Sequence, residues 1–408
     1  MDAKLDLPRI VSADDHVMEP PTLWLDRLPR KYLDVGPRVI RGPIQAMDPD
    51  SVGRPIGTDS TKRVHFDAGR PADVWLYESL RIPIWRTFGS VGMDRDDISI
   101  TPMTYDEMRK GCYDREARLA DMDANSVDAS LCYPNMFVRF CGQTFSQAED
   151  KDLALLCVKA YNDWMIQEWA GPSGGRLIPL TIIPLWDVGL AVAEIERTAG
   201  LGSRAVAFSE IPSKLGLPSI HSGYWDPLFA ACQDTGTVIN MHFGSASAFS
   251  TTSDDAPAAV LNSLTFLNPA MAVSDWVMSG LLLRFPGLKI VFGECNIGWL
   301  PYLLERMDIA WGENRGWTEV ADLLPEPPSE IFRRQVHTTV FRDSHGMRSI
   351  EEIGLDNVMF EVDYPHTDST WPGSMKLVEE YSYVMAPESL RKVVRGNAIR
   401  VFGLDLPA

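Results

Sequence analysis

The chain reads as an α/β protein, a (β/α)8 barrel of the TIM type with a long cap inserted after the first strand. Two observations predict the barrel: eight short apolar, β-branched runs that end in polar residues, and stretches of helical periodicity between them. A third predicts the cap, an interruption of that rhythm from about residue 30 to residue 102.

The predicted strands are Arg9 to His16, Val127 to Pro134, Leu177 to Pro184, Arg204 to Glu210, Val238 to Gly244, Lys289 to Cys295, Gln335 to Asp343 and Asn357 to His366. Predicted helices between them include Asp114 to Asn125, Gly189 to Ala199, Trp225 to Asp234, Pro269 to Arg284, Leu300 to Gly312 and Ser349 to Ile353. An open doubly wound sheet is the rival architecture, but the glycine-rich nucleotide turn that would favour it is missing after the first strand. The interrupting stretch, 30–102, is rich in Pro, Gly and Asp and carries aromatic islands such as VWLYESLRIPIWRTF. Long loops in compact folds are commonly lids or binding segments, so the expected arrangement is one domain over residues 1–408 with 30–102 closing over the barrel mouth. The final segment, EYSYVMAPESLRKVVRGNAIRVFGLDL, reads as amphipathic closing helices.

Composition narrows the function. With 45% hydrophobic and 23% charged residues the chain is an ordinary globular protein. A formal net charge of -18, a pI near 4.8 and the lack of any Lys/Arg cluster argue against nucleic acid and anionic membranes as partners. The opening MDAKLDLPRIVSADDH lacks the basic flank and apolar stretch of a signal peptide, and runs such as Val277 to Phe285 are too short for a bilayer. A cytoplasmic location is therefore expected. The six cysteines lie scattered without CxxC spacing, which predicts buried, reduced thiols.

In a barrel of this type the active residues sit at the carboxyl ends of the strands. The first run ends in Ser-Ala-Asp-Asp-His, where Asp14 and His16, two apart on a strand, point to the same side. The fifth run offers His242 and the eighth Asp363. Together they supply nitrogen and oxygen donors for one divalent metal, with zinc the first choice and manganese or iron the alternatives. A lone histidine at a strand end is commonly a hydrogen-bonded core residue, and a lone aspartate a helix cap. The coincidence of all these residues in one chain favours a metal.

Over nearly its whole length the chain resembles the amidohydrolase-related family that includes aminocarboxymuconate-semialdehyde, resorcylate and carboxyvanillate decarboxylases. The blocks that carry the resemblance are SADDHVMEPPTLW, YDREARLADMDANSVDASLCYP, INMHFG, GECNIGWLPYLLERMD, FEVDYPHTDSTWP and RGNAIRVFGL. It implies a (β/α)8 barrel, a divalent metal and homo-oligomers, usually dimers. Where many members carry His-x-His, this chain has Asp14-Asp15-His16, nearer the Glu-x-His form of resorcylate-type decarboxylases, which implies a single ion rather than a pair. Where the family's known decarboxylases have a catalytic histidine on the sixth strand, this chain has Glu294.

Beside a cation Glu294 stays ionised, and either ligates the ion or takes a proton from its bound water; a salt bridge to a barrel arginine is the plain alternative. His366 would orient Asp363 or donate a proton to a leaving group, or else only cap its loop. His337 reads as core, and His65, His221 and His345 receive no role. For the substrate, Arg139 offers a bidentate clamp on a carboxylate, with a surface ion pair as the rival reading. Trp85, Arg86 and Arg81 of the cap, with Trp371 after the eighth strand, would form an aromatic and cationic wall, or simply pack cap on barrel. The expected activity is metal-dependent hydrolysis of a small organic substrate, Asp363 taking the proton of an activated water and Glu294 or His366 returning one to the leaving group. The alternatives are non-oxidative decarboxylation of an aromatic or unsaturated carboxylic acid, and a metal-free barrel that only binds.

Overall fold

The computed structural model describes residues 7–43, 71–99, 101–253, 255–320 and 322–407. Its strands follow the chain as β1 (Ile10–Val17), β2 (Arg38–Pro43), β3 (Pro71–Tyr77), β4 (Leu80–Pro83), β5 (Val127–Pro134), β6 (Leu177–Thr181), β7 (Ala205–Phe208), β8 (Val238–His242), β9 (Ile290–Gly293), β10 (Val336–Val340) and β11 (Val358–Phe360). Eight of them form one parallel sheet in the order β1-β5-β6-β7-β8-β9-β10-β11. Hydrogen bonds from Asp363 N to Asp14 O (3.0 Å) and from His16 N to Tyr364 O (2.6 Å) tie the chain just past β11 back to β1, closing a (β/α)8 barrel. Each of the eight predicted strands coincides with one of these. Strands such as β8, VINMH, are buried at every residue, because helices cover the outside of the sheet and side chains fill the inside.

Several helices begin where an aspartate accepts a hydrogen bond from the first turn. Asp114 takes one from Ala117 N before Arg115–Ala124, Asp150 from Leu153 N before Lys151–Trp164, and Asp187 from Leu190 N before Val188–Gly200. The predicted helix Pro269 to Arg284 is broken in two, Leu267–Met278 and Leu281–Arg284, because Gly280 between them adopts φ +72°.

Most predicted strands overrun the observed ones at their carboxyl ends. The strand β9 stops at Gly293 because Glu294 takes φ 49°, and β11 stops at Phe360, with Asp363 at φ 55°. A left-handed residue cannot continue a strand, so both carboxylates stand in loops above the barrel.

The region 30–102 is not only loop. β2, β3 and β4 pair into a small antiparallel sheet, and the chain from Trp85 onward runs to the barrel mouth, where Val91 N bonds to Pro365 O (3.1 Å) and Thr367 N to Thr87 O (3.2 Å). His65 and the rest of 44–70 lie outside the described residues. Among the described residues no helix is long and apolar enough to cross a membrane. All six cysteines are free and buried, and burial raises the thiols of Cys112, Cys132, Cys141, Cys157, Cys232 and Cys295 above their ordinary range.

Candidate metal centre and its cavities

Strand alternation and barrel closure bring the predicted donors together. His16 Nε2 lies 3.5 Å from Asp14 Oδ1 and 3.6 Å from Asp363 Oδ1, and His242 Nε2 lies 3.6 Å from Asp14 Oδ2. Asp14, His16, His242 and Asp363 are all buried, yet both oxygens of each aspartate and the Nε2 of each histidine make no well-aligned hydrogen bond, the nearest polar neighbours being Glu294 Oε2 for His242 and His366 Nδ1 for Asp363, each at 3.1 Å. Buried polar atoms are almost always satisfied, so a convergent group of orphans marks a place for a cation. Backbone carbonyls face the remaining ring nitrogens: His242 Nδ1 lies 2.6 Å from Phe243 O and His16 Nδ1 3.5 Å from Pro134 O. That leaves Nε2 of each ring aimed at the centre.

Electrostatics agree with the geometry. Burial, and then repulsion from Glu361 and Glu294, holds Asp14 well above the usual carboxylate range; burial followed by Glu294 and Asp14 does the same to Asp363. Burial, then the neighbouring imidazoles, pushes His16 and His366 down, which keeps the rings neutral as ligation requires. A divalent ion would relieve the carboxylate repulsion and use these lone pairs. The donor set of two imidazoles and two carboxylates fits such an ion.

Glu294 and His366 belong to the same cluster. Glu294 Oε2 is 3.1 Å from His242 Nε2, while His366 stacks on His16 at 3.7 Å between centroids and puts Nδ1 3.1 Å from Asp363 Oδ1. Glu294, Asp363 and His366 face a cavity of about 560 Å³ walled by the rings of Phe88, Phe140, Phe243 and Phe249.

The remaining predicted residues lie elsewhere. Arg139 lines a separate cavity next to this one. Trp85 is fully buried inside the cap against Val74 and Leu76. Arg86 is held by Glu107 at 3.2 Å, and Arg81 bonds to the carbonyls of Glu78 and Leu80. Trp371 donates from Nε1 to Asp121 O and lies under the Arg109 guanidinium at 4.3 Å. Trp85, Arg86 and Trp371 thus pack the cap and the last loop rather than wall the cavity; Thr87 and Phe88, next in sequence, do that instead. His337 is buried in β10, and His221 pairs with Asp275 at 2.6 Å.

Three residues escaped the strand-end search. Glu361 is fully buried, accepts from Glu294 N (3.2 Å) and is pushed up to about 8 chiefly by burial; it stands two before Asp363, a spacing that could have revealed it. Glu210, at the end of the fourth predicted strand, accepts from Gly244 N (2.9 Å) and Asn268 Nδ2 (3.2 Å), fixing the loop after His242. Gly293 has no sequence signal at all: a Cβ there would fall 2.1 Å from Asp14 Oδ2, so the carboxylate occupies the space a side chain would need.

Known proteins bear on this arrangement. The sequence profile of the family described as Amidohydrolase matches residues 63–404. The gamma-resorcylate decarboxylase of Rhizobium sp. (strain MTP-10005) is 22% identical over 311 residues, 71% of this chain and 88% of that protein. An amidohydrolase from Mycobacterium avium subsp. paratuberculosis superposes with a TM-score of 0.69 at 19% identity, covering 98% of this chain and 100% of the other. A dihydroxybenzoic acid decarboxylase from Polaromonas sp. JS666, solved with manganese and the inhibitor 2-nitroresorcinol, superposes at 0.57 with 21% identity over 74% of this chain and 90% of that one.

Proposed function

We propose, from the premise that this chain belongs to the amidohydrolase family, that it is a metal-dependent enzyme which decarboxylates an aromatic carboxylic acid without an oxidant. Hydrolysis, the activity expected first from the sequence, gives way to this alternative because the relatives named for an activity are decarboxylases of hydroxylated aromatic acids. The observation that carries the reading is the cavity itself: four phenylalanine rings and the side chains of Glu294, Asp363 and His366 line one space of about 560 Å³, a lining that suits an aromatic ring whose acid group reaches the metal donors.

Asp14, His16 and His242, which converge as one group, together with Asp363, which converges on His16 in an adjoining group with Glu294 and His366, would hold one divalent ion, and the manganese of the Polaromonas protein favours manganese over the zinc expected from the sequence. When bound, such an ion would supply Lewis-acid chemistry at the acid group of the substrate. The chain's own residues do the rest. Phe140, 4.2 Å from the His242 ring, and Phe88, 5.3 Å from that of His366, hold the substrate ring and exclude water. Asp363 and His366, in contact with each other, pass a proton to the ring carbon; the bond to the carboxylate breaks, its electron pair stays with the ring, and carbon dioxide leaves.

A second reading, hydrolysis, is favoured by Glu294, a carboxylate 3.1 Å from His242 that is suited to take a proton from water. Incubation of manganese-loaded protein with hydroxylated aromatic acids in deuterium oxide separates the two. Release of carbon dioxide with one deuterium on the ring supports the lyase. Turnover of aryl esters or amides with no carbon dioxide from any acid overturns it.

A further inference from the structure

A second cavity, of about 190 Å³, shares Phe88 and Phe140 with the first as walls. The cap contributes Leu80 and Ile82, the loop after β5 contributes Met136, and the charged group on its lining is Arg139. Arg139 is held at φ 62° and donates to Ser247 Oγ. Unlike Arg86 with Glu107 at 3.2 Å, or Arg109 with Asp121 at 2.6 Å, it makes no ion pair with a carboxylate among the described residues. A half-buried guanidinium without a carboxylate partner among the described residues, lining a mostly apolar cavity that Asn135, Gln143, Thr144 and Gln147 also line, is poised for an anion brought by a ligand.

We propose that this cavity is a substrate-tail subsite, which takes a short apolar substituent ending in a carboxylate and bonds that carboxylate to Arg139. The inference rests on the reading that the larger cavity holds the reacting ring, and it adds that the substrate is a dianion. At roughly 30 Å³ per water-sized group the space accepts about six such groups, enough for a few methylenes and a carboxylate. The apolar walls bury the methylenes, and the planar fork of arginine meets the carboxylate with two hydrogen bonds. A formal net charge of -18 repels anions from the molecule as a whole, so selectivity for a dianion has to come from such a local cation. The Phe88 and Phe140 rings, common to both cavities, are where ring and tail would be joined.

Calorimetric titration of the manganese-loaded protein with para-(carboxyethyl)benzoate, para-butylbenzoate and benzoate tests this without requiring turnover. The expected result is that the dicarboxylate binds about 10- to 100-fold more tightly than the butyl compound, and that Arg139→Gln abolishes this difference while leaving para-butylbenzoate unchanged. Leu80→Trp, which fills the cavity and keeps the charge, should weaken both tailed ligands relative to benzoate. Equal affinity of the two tailed ligands for the unaltered protein, or an equal loss for both in Arg139→Gln, overturns the subsite, as does Leu80→Trp leaving all three affinities unchanged. Carbon dioxide release from simple hydroxybenzoates together with such a result would overturn the subsite and leave the decarboxylase reading standing.

Discussion

Gly293 has to be glycine for the sake of a neighbour: the Asp14 carboxylate fills the volume of its missing side chain, with Tyr133 Oη 3.1 Å from the same point. Gly293→Ala should therefore push Asp14 aside and weaken metal affinity about 10- to 100-fold, as loss of a ligand's support commonly does, with the circular dichroism spectrum unchanged. Unaltered affinity would mean that Asp14 is not a ligand. His242→Ala removes a donor outright and should lower bound metal well below one ion per chain, as read by elemental analysis of the folded variant. Glu294→Gln keeps size and hydrogen bonding but loses titration. If Glu294 handles protons, metal stays bound while turnover falls roughly 10²- to 10⁴-fold; if it ligates, metal affinity falls with turnover. That Asp14, His16 and His242 would converge was legible in the sequence, because strand alternation and strand ends specify where such side chains point, whereas Asp363 stands in the loop past β11 and was found only as a donor near a strand end. Gly293 was not legible, since its constraint arises from a residue 279 positions away that only the closed barrel brings near.

At the scale of elements, the eight barrel strands were legible because a strand buried on both faces leaves a largely apolar run, unbroken in β9, IVFG, and interrupted only by Asn240 before the terminal His242 in β8. Their ends were less so: whether Glu294 and Asp363 continue a strand depends on φ, and only glycine advertises a positive φ in sequence. The cap sheet was hidden for a different reason, since β2 meets β3 across a stretch of intervening chain and no short turn joins them. The strand β10 carries a consequence for pH. His337 is buried there, and burial, with Arg400 adding to it, lowers its pKa to about 4. Below its ordinary value near 6.5 the unfolded chain takes up a proton that the folded chain refuses until about pH 4. This residue therefore stabilises the fold fully above about pH 6.5 and progressively less as pH falls to 4, at about 1.4 kcal/mol per unit. The substitution His337→Gln should make the decline in urea-melt stability between pH 6.5 and 4 shallower than in the unaltered protein. Identical slopes would show that His337 titrates alike in both states.

For the molecule as a whole, a metal held at the same centre would couple binding to folding. Asp14, Glu361 and Asp363 are buried together, and without a cation these three carboxyl groups are raised, Glu361 to about 8, chiefly by burial. The unfolded chain loses these protons near pH 4, whereas the folded metal-free chain keeps them, so it binds more protons than the unfolded one. By linkage these three groups contribute stability to the metal-free fold that is lost as pH rises from about 4 to about 8, a contribution opposite in sign to that of His337. A divalent ion held there would take the place of those protons and would bind only the folded barrel, because only closure brings β1, β8 and the loop after β11 together. At a free concentration of about 100 Kd it should add about 2.7 kcal/mol, near 3 °C in melting temperature for a chain of this size. Protons compete for the same oxygens, so the gap between metal-loaded and chelated protein should widen from pH 5 to pH 8. Scanning calorimetry with excess manganese and with chelator measures the gap directly. In His242→Ala it should be small at every pH. A gap in the unaltered protein that stays constant or narrows as pH rises would mean that the ion does not bind at the buried carboxylates.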